Sequence, residues 1–356
     1  MLSVLSVHNY CVCDKRHMTP GLKSSKMVVI ERGEIHMLAN IRNTMRTRWL
    51  QFHISAGGMW STLNSGEIRK LSWAKHIKSY EEVPDIYKFF FAPLQAEGQV
   101  FPYTILTPTF EGLLQARTTE KLVCDLDHEI YVLEKAGDVV KVYGYPIEEI
   151  SCVEVRIVLL DSQIKIYGIT KDGLPTSIAI KFNTATEELF TPILEKIRRV
   201  AIGSDDRDSG SEIKNLDYLE KLDYKFMNYA RHSLLEGEKI IQMLLQPKIQ
   251  VRLLTVFGKT FHKVISKAHL SILTDQELIV IREEDNPRVI GEYGKVRTYI
   301  RSKKIVDLCL DSKSGEYPKL SIQLPGDVRI ENLYDASAEP EVCRLISQFA
   351  DVAKQY

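Results

Sequence analysis

DHEIYVLE, Asp127 to Glu134, lies without a gap over DQELIVIR, Asp275 to Arg282, sharing Asp, Glu and Val within a matching apolar pattern. A short β-type run precedes each, Leu122 to Leu126 and Leu270 to Thr274, so both segments read as hairpins turning at an Asp-X-Glu tripeptide. One unit is used twice.

Outward from the first hairpin, Val142 to Tyr145, Ile150 to Leu160, Ile164 to Ile169 and Ser177 to Phe182 are rich in β-branched and aromatic residues, which predicts strands. A helix closes the unit. Thr184 and Glu187 have capping-box spacing, Leu189, Phe190, Ile193, Leu194 and Ile197 share a face, and Pro192 either kinks the helix or starts a second one. From the second hairpin, Arg297 to Ile300, Ile305 to Leu310, Leu320 to Leu324 and Val328 to Leu333 repeat the strand signal, and a helix with Val342, Leu345, Ile346, Phe349 and Val352 on one face follows Pro340. The expected class is α+β: two small, strongly bent sheet or barrel units, each closed by a C-terminal helix, with helical N-terminal and linking segments.

Five parts follow. Residues 1 to 58 hold five of the eight methionines, four of the nine histidines and only Asp14, Glu31 and Glu34 as acids, and read as an extension or a mis-called start before Met59. Residues 59 to 100 read as a helical segment, with Ile68, Leu71, Ala74 and Ile77 at helical spacing and a packing cluster at Tyr87, Phe89, Phe90, Phe91 and Leu94. The first unit spans 101 to 202. GSDDRDSGSE, Gly203 to Glu212, is a solvated linker, and Ile213, Leu216, Leu219, Leu222, Phe226 and Tyr229 predict a helix of about five turns within 203 to 235. The second unit spans 236 to 356.

The hairpins LVCDLDHEIYVLEK and LSILTDQELIVIREE, the stretch YPIEEISCVEV and the final helices FTPILEKIRRV and EVCRLISQFADV resemble tandem pleckstrin-homology-like domains of the bacterial PH-like and GRAM-like kind, over Phe101 to Val200 and Glu236 to Tyr356. The resemblance implies binding platforms for lipid headgroups, peptides or their own kind rather than enzymes. The first unit lacks the Lys/Arg-rich first hairpin of the phosphoinositide-binding members.

Catalytic motifs fail one by one. FGKT, Phe257 to Thr260, has Leu253 where a phosphate loop needs glycine, and neither GxGxxG nor GxSxG occurs. Cys124, Asp125, Asp127 and His128 match no zinc spacing, and the paired acids Glu148/Glu149 and Glu283/Glu284 read as a solvated face. The sequence therefore nominates no catalytic residue, metal or cofactor. The six isolated cysteines suit a reducing compartment, and the longest uncharged run, Trp49 to Gly66, is too polar to span a bilayer, so a cytoplasmic location is expected.

The 47 basic and 47 acidic residues cancel, which argues against a nucleic-acid partner, but the average conceals an asymmetry. No Asp or Glu stands between Lys239 and Thr274, where Lys248, Arg252, Lys259, Lys263 and Lys267 form a candidate anion-binding set. The leading expectation is a non-enzymatic interaction scaffold with a protein partner or self-association through exposed strand edges. The alternative is peripheral binding of anionic membrane or phosphate groups through 239 to 274; an enzyme of unknown type stands third.

Overall fold

The computed structural model describes residues 73–109, 119–199, 216–256, 259–284, 294–311 and 317–354. All described residues belong to one compact unit, Asn64–Tyr356. Residues 1–58 and the linker Gly203 to Glu212 lie outside the described residues.

The elements run in chain order as β1 (Lys75–Ile77), α1 (Asp85–Ala96), β2 (Tyr103–Thr107), β3 (Lys121–Leu126), β4 (Glu129–Ala136), β5 (Val139–Pro146), β6 (Ile150–Val158), β7 (Asp161–Ile169), β8 (Pro175–Asn183) and α2 (Thr191–Arg199). After α3 (Asp217–Leu222) and α4 (Tyr224–Arg231) come β9 (Ile240–Gln246), β10 (Ile249–Val256), β11 (Lys259–Ser266), β12 (His269–Thr274), β13 (Glu277–Glu284) and β14 (Gly294–Arg301). The last elements are β15 (Asp307–Asp311), β16 (Lys319–Leu324), β17 (Val328–Leu333) and α5 (Glu339–Ala353).

The order of elements recurs. Four strands β2 to β5, a 3-10 turn at Ile147–Glu149, three strands β6 to β8 and a helix are followed by β9, β12, β13 and β14, a 3-10 turn at Ser302–Lys304, β15 to β17 and a helix. The turns match bond for bond: Ile147 N donates to His128 O at 2.8 Å, and Ser302 N to Gln276 O at 3.0 Å. Between β9 and β12, however, the second run carries the additional hairpin β10–β11.

The sheets do not divide as the elements do. One sheet has the order β8-β7-β6-β14-β13-β12-β9, because β6 of the first run pairs antiparallel with β14 of the second from Val158↔Gly294 to Cys152↔Ile300. The expectation of two α+β units, each a bent sheet or barrel closed by a helix, is overturned here. Strands dominate, the helices are short, and the sheets stay open with helices lying on their faces. The reason is that the edge groups of β6 and β14 satisfy each other across the two runs.

Three apolar layers result. One face of the seven-stranded sheet (Val153, Val155, Ile164, Ile180, Ile272, Ile279) packs with the five-stranded sheet β1 to β5 (Ile105, Val123, Ile130, Val132) and with Ile193, Ile197, Phe226 and Met227 of the helices. Its other face (Cys152, Leu273, Leu278, Val280, Ile300) meets β15 to β17 and α5 through Leu320, Ile322, Val342 and Leu345. The outer face of the five-stranded sheet, with Leu122, Cys124 and Leu133, is covered by Tyr87 and Phe91 of α1.

Two helical expectations fail for local reasons. Of the expected N-terminal helix from Ile68 to Ile77, residues 68–72 lie outside the described residues, and Lys75–Ile77 form β1, which pairs with β2, so the β partner outweighs the 3.6-residue spacing there. The five-turn linking helix breaks into α3 and α4 at Asp223, which is extended (φ −159°) and accepts from Lys225 N and Phe226 N as the N-cap of α4. Asn183, not Thr184, caps the 3-10 segment that precedes α2, while Glu187 pairs with Arg297 at 2.6 Å.

The two runs are also tied by side chains. Buried Arg301 of β14 donates Nη1 to Ile147 O at 2.6 Å and Nη2 to Ile197 O, at the end of α2. Lysine has no fork to hold two carbonyls. Arg301→Lys is expected to cost about 2 kcal/mol through the buried carbonyls left unserved, read as a lower urea midpoint with unchanged slope.

Candidate functional site

The acid-free stretch builds an arm. Among the described residues β10 and β11 pair only with each other, from Ile249↔Ser266 to Val256↔Lys259, with an irregularity between Arg252 and Leu254 that leaves Leu253 unmatched. Alternation along β11 sets two faces. Phe261, Lys263 and Ile265 share one with Leu254 and Val251; Thr260, His262 and Val264 share the other with Thr255, Arg252 and Gln250. Hydrogen bonds agree with this division: Arg252 Nη2 donates to Thr255 Oγ1 at 2.6 Å, and the Thr255 and Thr260 hydroxyls lie 3.1 Å apart.

Large apolar side chains stand in solvent along this arm: Leu253 is 57% exposed, Phe261 52%, Leu254 44% and Val264 44%. A two-stranded ribbon is marginal by itself, and such side chains gain about 1.5–3 kcal/mol each on full burial, so the arm offers energy to a surface that covers it.

The five nominated cations do not form one patch. Arg252 and Lys263 lie on opposite faces of the arm, Lys259 opens β11 beside the tip, and Lys248 and Lys267 flank the arm at its base. At that base an open cleft of about 490 Å³ is lined by Lys248, Tyr317, Asp335 and Glu341 among others, so both charge signs meet in it. Phe257 and Gly258 of FGKT lie outside the described residues.

Sequence reasoning missed the exposed apolar residues, because an alternating strand reads alike whether or not a second layer covers it. The one available signal was that the corresponding place in the first run, Pro108 to Glu120, has no matching pair of β-type segments.

The other candidates resolve into structural roles. Cys124 is buried under α1, where burial raises its thiol pKa, and Asp125 holds Lys196 at 2.5 Å. Glu149 pairs with Lys304 at 2.9 Å, and Glu283 with Lys225.

A buried charge cluster that the sequence did not nominate joins α2 to the second run. Arg198 donates Nε to Glu277 Oε1 at 2.9 Å and Nη2 to Ser233 O at 2.7 Å, lies 3.5 Å from Glu238, and stacks over Tyr299 with its guanidinium carbon 3.9 Å from the ring centre. Glu238 also accepts from Leu235 N at 2.9 Å and Thr274 Oγ1 at 2.8 Å. Burial, reinforced by neighbouring Glu277, pushes the Glu238 pKa up to about 8 despite Arg198. One guanidinium facing two buried carboxylates leaves a surplus negative charge, which a proton on Glu238 removes. The cluster pins the end of α2 to the second run.

No protein-family model matches the sequence, and no curated protein matches it. Among solved structures the chain is similar to a DUF1696 family protein with a pleckstrin-homology domain from Shewanella loihica PV-4. That likeness has 13% identity and a TM-score of 0.24, and covers 39% of this chain and 92% of that one. No helix among the described residues is long and apolar enough to cross a membrane.

A proton held by folded Glu238 and released on unfolding makes stability pH-dependent. The contribution is complete below the ordinary carboxylate value and is lost as pH rises towards about 8. Thermal scans from pH 5 to pH 9 are expected to show a falling Tm for the wild type and a flatter profile for Glu238→Gln. Equal slopes would place the proton elsewhere.

Proposed function

We propose that this protein is a non-enzymatic peripheral module that docks on anionic lipid surfaces through the β10–β11 arm. The observation that carries the reading is the exposure of Leu253, Leu254, Phe261 and Val264 on an arm within a stretch free of acidic residues. Apolar side chains can enter the acyl boundary while cations around the arm meet lipid phosphates, a division of labour shared by interfacial anchors. Having Arg252 and Lys263 on opposite faces suits an arm that enters tip-first, since headgroups then surround it.

This reading places the alternative drawn from the sequence ahead of a general scaffold. A charged ridge alone would suit an acidic protein equally, but four half-exposed apolar side chains favour a surface with a soft apolar interior.

Co-sedimentation with phosphatidylglycerol-containing and pure phosphatidylcholine vesicles tests the proposal. Retention is expected on the anionic vesicles and should fall steeply as salt rises, because screening shortens electrostatic reach to about 8 Å at physiological ionic strength. Each cation near the surface is worth about 1 kcal/mol, so alanine at Lys248, Arg252, Lys259 and Lys263 together should reduce affinity at least about a hundredfold. Leu254→Asp with Phe261→Asp should abolish retention while leaving the melting temperature unchanged. Failure of the wild type to bind anionic vesicles at low salt would remove this function.

A further inference from the structure

Strand pairing brings the ends of distant elements together. Val158, at the end of β6, is opposite Gly294 of β14, and Gly294 is opposite Glu284 of β13; nearby, His269 of β12 is opposite both Arg282 of β13 and Gln246 of β9. At this one end of the seven-stranded sheet β6 turns into β7, β9 leaves for the arm and β12 returns from it. Helix α4 starts at the same end. Lys225 in its first turn pairs with Glu283, and the Lys295 ammonium lies 4.8 Å from the centre of the Tyr229 ring. The chain after α4 then reaches Glu238, which meets Arg198 and Thr274 at the opposite end of the sheet.

Exposed apolar side chains gather at the arm's end of the sheet. Leu159 and Leu160 are the two residues of the β6–β7 turn and are 44% and 49% exposed; Leu222 and Tyr224, on either side of the Asp223 cap, are 53% and 61% exposed. Leu159 holds a φ of +55°, a left-handed conformation for which hairpin turns favour glycine, asparagine or aspartate. A strained apolar residue where a small polar one would be more stable points to a function for its side chain. We propose that the Leu159–Leu160 turn and the Leu222–Tyr224 kink make a second contact with the anionic bilayer, a rim that settles among the headgroups behind the arm. This inference rests on the docking role proposed for the arm.

Charge and spacing fit that occupant. Carboxylates beside the rim are answered within the chain: Asp161 by Arg156 at 3.2 Å, Glu284 by the same arginine at 3.9 Å and Glu283 by Lys225, while Asp223 caps α4. Lys221 is exposed next to Leu222, and a tyrosine suits the boundary of water and lipid, with an apolar ring and a wet hydroxyl. From β6 to β12 is three strand spacings, about 14 Å, so the contacts suit a broad, deformable surface better than a single segment of a protein. Pro247–Lys248 and Lys267–Ala268, which link the arm to the sheet, lie outside both strand ladders. Strand pairing therefore leaves the slope of the arm open, and an arm entering tip-first at a slant brings the rim down to the headgroups.

Retention of the full chain on phosphatidylglycerol-containing vesicles reads the rim separately from the arm. Leu159→Gly with Leu160→Ser supplies residues suited to a turn that opens with a positive φ. The melting temperature should hold or rise, while affinity for the vesicles falls about tenfold. Emission added by Tyr224→Trp, taken as the difference from wild type, should shift to the blue on binding and be quenched by brominated lipids. A turn variant that binds as tightly as the wild type, one that loses affinity only together with its melting temperature, or added emission that stays that of a water-exposed indole would each overturn the rim and leave the function of the arm standing. A wild type that fails to bind would remove both.

Discussion

The pairing of β6 with β14 is the constraint on which the rest of the structure depends. A strand edge is a row of backbone donors and acceptors that must find partners, and here two such rows satisfy each other over seven registered pairs. The pairing turns two successive runs of strands into one seven-stranded sheet whose two faces bury different layers. It also explains why β12 and β13 are buried at nearly every position rather than at alternate ones.

Side chains then lock the seam. Arg301 reaches from β14 to backbone carbonyls beside β6 and at the end of α2, and Arg198 of α2 reaches back to Glu277 and Glu238. These are costly arrangements, since buried ions gain little over apolar packing, but removing one partner strands the other. They therefore specify one mutual placement of the two runs more than they add stability. Tyr299 beneath the Arg198 guanidinium serves the same end.

Equivalent element orders have been put to unequal use. The second run inserts the β10–β11 arm between β9 and β12; in the first, the stretch between β2 and β3 includes residues 110–118, which lie outside the described residues. No described residue of the arm belongs to the three apolar layers; Ile249 at its base is buried, and most of its described side chains face solvent. Tight turns elsewhere show the opposite economy. Gly326, with φ of +77°, turns β16 into β17 so close to Pro175 that a side chain there would collide with the proline ring.

Much of the local structure was legible. The matched hairpins DHEIYVLE and DQELIVIR, the later strands and the amphipathic helix after Pro340 lie where alternation and helical spacing put them, because those patterns reflect which side of an element meets apolar neighbours. Less legible were features set by competition. Asp223 could continue a helix or cap one, and at Lys75 to Ile77 a strand partner outweighed helical spacing. Of the candidate site, the absence of acid from Lys239 to Thr274 was plain in the sequence, but the exposure of Phe261 and Leu254 was not. By itself the sequence determined many of the strands, the final amphipathic helix, the recurrence of a hairpin motif and the positive stretch, since each is a property of neighbouring residues. Tertiary structure alone decided that β6 would pair with β14, that no barrel would close and that β10–β11 would stand in solvent. Every residue but proline offers a strand edge the same donor and acceptor, so the choice of partner rests on the packing of whole layers rather than on any local pattern.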